Sequence, residues 1–178
     1  MKSRGFTIVE LLIVIVVIAI LAAISIVAYN GIQQRAKNTQ TITSFSSYAK
    51  ALKSYYAVNQ DYPGTVGAVG CFGKIGTACG YISGPAACNG IGSGAYETGF
   101  GNGLRTIATT LPEPSDQEIT CGDGSKYKGI LYVNYPTGLA MYAFLKGITQ
   151  CPFISGIDYA SITTFGDGYM CAYTLART

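Results

Sequence analysis

One carboxylate, Glu10, stands at the head of an apolar run from Leu11 to Ala28 that contains a single polar residue, Ser25, and no charge. As a helix that run is roughly 27 Å long, close to the hydrocarbon thickness of a bilayer. Such a segment belongs in lipid or among other apolar helices. An ionised side chain there costs about 2.5–3.5 kcal/mol near the centre and less toward an end. Intramembrane charges are usually paired, so Glu10 asks for a cation that the run does not supply.

An ordinary secretory signal explains these residues poorly. Its apolar core is typically about 7–15 residues long and ends in a small-residue cleavage site. This run is longer, and Ala22-Ala23-Ile24-Ser25 is a weak match to such a site. No cysteine lies near its end, which argues against a lipoprotein anchor.

Upstream stand Lys2 and Arg4, followed by Gly5-Phe6-Thr7-Ile8-Val9-Glu10. From Arg4 to about Lys37 the sequence resembles the class III signal of type IV prepilins and pseudopilins. That signal is a short basic leader, cleavage after a glycine, and a glutamate five residues into the mature chain. The resemblance implies that residues 1–5 are a leader removed by a prepilin peptidase after Gly5. Phe6 then becomes the new N-terminus and is methylated on its nitrogen. Glu10 would meet the N-terminal amine of a neighbouring subunit, so cleavage itself would create the missing cation. Many pilins carry a helix-breaking glycine and proline in the membrane half, where this chain has Ala19 and Val27.

After Ala28 the apolar residues thin to one face. Ile42, Phe45, Ala49, Leu52 and Tyr56 recur at helical steps, with Arg35, Lys37, Lys50 and Lys53 on other faces. The helix is expected to stop near Asn59-Gln60, ahead of Pro63-Gly64. Together with the family layout this predicts an α+β fold. A long N-terminal α-helix spans the membrane with its first half, residues 6–28. It continues as an amphipathic segment over 29–61 and packs against a C-terminal antiparallel sheet domain over 62–178.

Residues 64–103 hold thirteen of the twenty-three glycines, together with Cys71, Cys79 and Cys88, and read as a loop-rich connection. Neither a collagen repeat nor a phosphate-binding glycine motif fits that stretch. A short helix is expected around Leu104, Ile107, Ala108 and Leu111. Strands are expected over Lys126 to Tyr135, over Leu139 to Leu145, and at the C-terminus, where Tyr169, Cys171, Tyr173 and Leu175 alternate with Met170, Ala172 and Thr174 as in a half-buried strand. Gly122-Asp123-Gly124 and Gly166-Asp167-Gly168 read as turns.

Six cysteines, Cys71, Cys79, Cys88, Cys121, Cys151 and Cys171, all follow the apolar run, which reads as disulfides in an oxidising compartment. Their spacings are wider than those of zinc sites, and three bridges leave the connectivity open. By analogy with the disulfide that closes the C-terminal region of pilins, Cys151 and Cys171 form the candidate pair. Asp158 and Asp167 are too few oxygen ligands for a calcium cage, so no metal or cofactor is assigned.

The absence of histidine removes histidine-based acid–base and nucleophile chemistry. Glu113, Asp116 and Glu118 cluster around Pro112 and Pro114 in a segment that reads as a solvated loop, so no catalytic residue is assigned and an enzyme is not expected. The formal charge is +3 and falls to +1 without Lys2 and Arg4, which gives no argument for general nucleic-acid binding.

The expectation is a structural subunit of a type IV pilus, held in the cell membrane by one span with its C-terminal domain outside, then extracted into an extracellular filament. Its partners would be further copies of itself, the prepilin peptidase, the inner-membrane assembly platform and, before assembly, lipid. The alternatives are a pseudopilin of a secretion or DNA-uptake system, and a minor tip subunit acting as an adhesin.

Overall fold

The computed structural model describes residues 6–73, 79–83, 93–94 and 98–177. Two units divide the chain, residues 1–36 and residues 37–178. In the first, every described residue from Phe6 to Gln33 is exposed, and the apolar run is helical throughout. Ser25, its one hydroxyl, donates to the Leu21 carbonyl at 2.8 Å, so no polar group of that side chain asks for water.

The helix α1 runs from Ile8 to Asn59, through Ala19, Val27 and Asn30-Gly31 without interruption. Its stop falls where proline chemistry placed it. Gln60 takes a left-handed backbone (φ 57°) while its N–H bonds the Tyr56 carbonyl at 2.8 Å, the αL closure of a helix C-terminus.

Among the described residues the second unit carries nine strands, all paired antiparallel. They are β1 (Val69–Phe72), β2 (Cys79–Ser83), β3 (Ser93–Gly94), β4 (Glu118–Thr120), β5 (Lys126–Lys128), β6 (Ile130–Tyr135), β7 (Gly138–Leu145), β8 (Asp158–Phe165) and β9 (Gly168–Ala176). One sheet has the order β1-β6-β7-β9-β8 and the other the order β3-β2-β5-β4. A second helix, α2, covers Thr98–Arg105.

Period-two alternation sorts the core into two layers. Leu139, Met141, Ala143 and Leu145 of β7, with Cys171, Tyr173 and Leu175 of β9, pack against Phe45, Tyr48, Ala49 and Leu52 of α1. The intervening Phe144 and Met170, with Leu131 and Cys71, face Ile119 and Tyr127 of the smaller sheet. The five-stranded sheet is therefore covered on both faces at its centre. This corrects the half-buried reading of the last strand, because Met170 and Ala172 are buried as well as Cys171 and Tyr173.

Three further expectations change. The run from Lys126 to Tyr135 is not one strand: Gly129, at φ 73°, breaks it, so that β5 joins the smaller sheet and β6 the larger. The stretch 64–103, read as loop, forms β1, β2, β3 and most of α2 among its described residues. Pairing with neighbouring strands of each sheet, rather than local propensity, organises these short glycine-rich strands. The expected helix around Leu104 to Leu111 lies earlier in the chain, ending at Arg105. Leu104 is still buried in the core, and Ala108 and Leu111 pack against it.

Candidate functional site: the N-terminal assembly motif

The helix α1 begins with a reciprocal set of hydrogen bonds between Thr7 and Glu10. The Thr7 hydroxyl donates to Glu10 Oε2 at 2.7 Å, the Thr7 N–H donates to the same oxygen at 2.9 Å, and the Glu10 N–H donates to Thr7 Oγ1 at 3.2 Å. This is a capping box, in which the first helical turn satisfies its orphan donors through a threonine and a glutamate three residues on. The segment T-I-V-E before an apolar run is the sequence signature of that device, so Thr7 was recoverable from the pattern.

Phe6 precedes the box outside the helix, its side chain 77% exposed, and Gly5 lies outside the described residues. Glu10 sits where the helix dipole presents its positive end, which favours a carboxylate. From Leu11 to Ala28 the helix surface is exposed and almost entirely apolar on all sides. An apolar surface of that extent calls for lipid or other chains as cover.

In the second unit, Cys151 and Cys171 form a disulfide, their Cα atoms 5.7 Å apart. It ties the segment between β7 and β8 to the middle of β9. The Tyr173 hydroxyl adds a bond to the Pro152 carbonyl at 2.7 Å. Ile154 and Ile157 of this segment are buried, whereas Phe153 is 89% exposed. Cys71 bridges Cys79, and Cys121 is also disulfide-bonded. Cys88 lies outside the described residues.

The carboxylates considered for catalysis or metal binding have mundane surroundings. Asp116 pairs with Lys37 at 3.4 Å and Glu118 with Lys126 at 3.1 Å. Asp167 pairs with Lys146 and accepts the Thr120 N–H. Among the described residues no three of His, Cys, Asp and Glu gather as metal ligands would.

Comparison with known proteins agrees with this geometry. Residues 1–26 match the family model described as the prokaryotic N-terminal methylation motif. Set on a long N-terminal helix followed by an antiparallel sheet domain, that motif defines a type IV pilin-like fold. The chain thus carries this motif on a pilin-like layout.

It is similar to the type IV major pilin protein PilA of Myxococcus xanthus, 34% identical over 86 residues, which are 48% of this chain and 39% of that protein. It resembles the prepilin peptidase-dependent protein D of Escherichia coli, 44% identical over 52 residues, 29% of this chain and 36% of that protein. It also resembles the type II secretion system core protein G of Escherichia coli, 33% identical over 64 residues, 36% of this chain and 44% of that protein. The chain thus spans less than half the length of each of these three relatives. No solved structure matches significantly.

Proposed function

We propose that this chain is a structural subunit of a type IV pilus. A prepilin peptidase cuts after Gly5 and Phe6 is methylated. The subunit then waits in the membrane on its 6–28 segment, with the domain formed by residues 62–178 outside. An assembly platform in the inner membrane extracts it into a helical polymer of many copies, in which the apolar segments bundle and the sheet domains form the coat. Head-to-tail contacts that do not close on themselves generate such a filament. Adhesion, motility or DNA uptake would be served by that filament.

The observation that carries this reading is the single carboxylate at the start of an exposed apolar helical segment, residues 11–28, next to a predicted cleavage point that would create an amine. Transfer of apolar helices from lipid to a bundle changes little in solvation. The pairing of Glu10 with a neighbour's amine is what would fix register. The mass of the mature N-terminal peptide tests the first step: the expected peptide begins at methylated Phe6, and one that begins at Met1 or near Tyr29 refutes the proposal.

A pseudopilin of a secretion system is the second reading, supported by the likeness to core protein G. Imaging cells that lack and then regain this chain separates the two. Long surface filaments that return with the gene support a pilus, and their absence alongside restored secretion supports the pseudopilin.

A further inference from the structure

We propose that the open edge of the five-stranded sheet is a self-association site, where β8 pairs antiparallel with β8 of a second copy of this chain. The two edges of that sheet differ. β1 is four residues long, and the Cys71–Cys79 disulfide ties it to β2 of the smaller sheet. β8 is eight residues long, and among the described residues no strand pairs beyond it. An edge left open usually carries a guard, such as a lysine, a proline or a bulge that twists it away. The bulge here lies at the start of β8, between Tyr159 and Ser161. Beyond it, Ser161-Ile162-Thr163-Thr164-Phe165 has no charge and no proline, and is rich in residues that favour strands.

The β8–β9 turn fixes which main-chain groups are on offer. Phe165 and Gly168 flank the two-residue turn Gly166-Asp167, with Gly166 at φ 62°. A closing pair of this kind is hydrogen-bonded, so Phe165, Thr163 and Ser161 aim their backbone groups at β9. Ile162 and Thr164 turn theirs to the open side. They are all satisfied when Ile162 faces Thr164 of the second copy and the two Thr163 residues meet on a twofold axis. Nothing repels in that register, because Asp158 and Asp167 fall beyond the two ends of the paired stretch. Ile162 also stands opposite Cys171, whose bridge to Cys151 brings Pro152 and Phe153 to the same strand pair. Phe153 is 89% exposed, an aromatic surface for the incoming copy that the chain's own core leaves uncovered. Such a contact is isologous and closes on itself, so it cannot propagate a polymer. On the filament reading above, it joins two filaments side by side.

The test is disulfide trapping in the full chain carrying Thr163→Cys, because residues that meet on such an axis come about 4.5 Å apart, within disulfide reach. Gly122→Cys, with nothing within 4 Å of the added atom, is the control for chance collision. In detergent micelles, mild oxidation is expected to give a covalent dimer at least about tenfold more abundant from the first than from the second. Adding Thr164→Lys, at an exposed position, or Thr164→Pro, which removes only an outward N–H, should cut that dimer about tenfold. Adding Thr164→Val should keep it. A Thr163→Cys dimer no stronger than the control overturns the proposal, as does one that Thr164→Lys leaves unchanged. A cross-link to a host protein in place of the dimer also overturns it, by giving the edge to another chain. Micelles need no polymer, so this contact and the filament reading fail separately. Where filaments are imaged, Thr164→Lys is expected to keep their yield and loosen their bundles, and bundles left intact would remove the side-by-side role.

Discussion

Thr120 and Asp167 hold each other through reciprocal hydrogen bonds across the two sheets. The Thr120 N–H donates to Asp167 Oδ1 at 2.7 Å, and the Asp167 N–H donates to the Thr120 carbonyl at 2.9 Å. Lys146, at the end of β7, completes the cluster by pairing with the other carboxylate oxygen. The end of β4 is thereby fastened to the β8–β9 turn. That turn brings Gly166 so close to the Thr120 carbonyl that a side chain there would collide with it.

Asp167→Asn should therefore lower stability in a pH-dependent way. Partial burial opposes the Asp167 charge, but the Lys146 ammonium and the Thr120 N–H outweigh it and hold the carboxyl below its usual range. A depressed folded-state pKa stabilises the fold above the unfolded value, about 3.9, and that contribution is lost as pH falls through the lower folded value. Thermal melts of the parent and Asn chains in detergent should differ at neutral pH and converge in acid. A gap that stays constant across that range would remove the carboxylate charge from the account.

Gly70→Ala is expected to destabilise the sheet domain. Gly70 of β1 stands opposite Tyr132 of β6, and the tyrosine ring occupies the space a methyl group would need. Overpacking of a buried site costs about 1–3 kcal/mol. Gly122→Ala is the control, because nothing lies within 4 Å of the added atom. Denaturant midpoints should fall for the first and scarcely move for the second.

Replacing Cys151 and Cys171 together with serine should cost about 2–5 kcal/mol, the usual range for a native disulfide in a small exported domain. The bridge closes a separation of 20 residues, against 8 for Cys71–Cys79, so the same double replacement of the shorter pair should cost less. Equilibrium unfolding of both double variants ranks them, and the reverse order would count against the loop-entropy argument.

Glu10→Ala should leave cleavage after Gly5 largely intact while filament formation falls. The capping box adds a second consequence. The substitution also removes the acceptor for the Thr7 N–H, which should let the first turn of α1 fray. Immunoblots of the cut and uncut forms, read beside filament counts, check the first point. Normal polymers from this variant would refute the pairing role.

The helix and its stop were legible because they rest on local signals, an apolar run, a 3.6-residue stripe and a proline. The polar part of the docking face was not. Asn38 donates to the Lys146 carbonyl at 2.7 Å, and Thr41 shares a hydrogen bond of 2.8 Å with Ser115. Hydrophobic periodicity starts the stripe only at Ile42, so these buried polar partners escape it. Gly129 was hidden for a similar reason. Its neighbours read as one strand by composition, and only the positive φ sends the two halves to different sheets. At the N-terminus, the resemblance drew attention to Glu10 and away from Thr7. The T-x-x-E spacing that marks a helix start sat in the same six residues.

Arg177, just past β9, pairs with Asp61 just beyond the stop of α1, bonds Asn134 at 2.8 Å and lies over the Tyr62 ring. The Tyr62 hydroxyl in turn donates to the Ala176 carbonyl at 3.0 Å. Entry and exit of the sheet domain are thus cinched side by side. A permutant that joins these two points needs only a short tether.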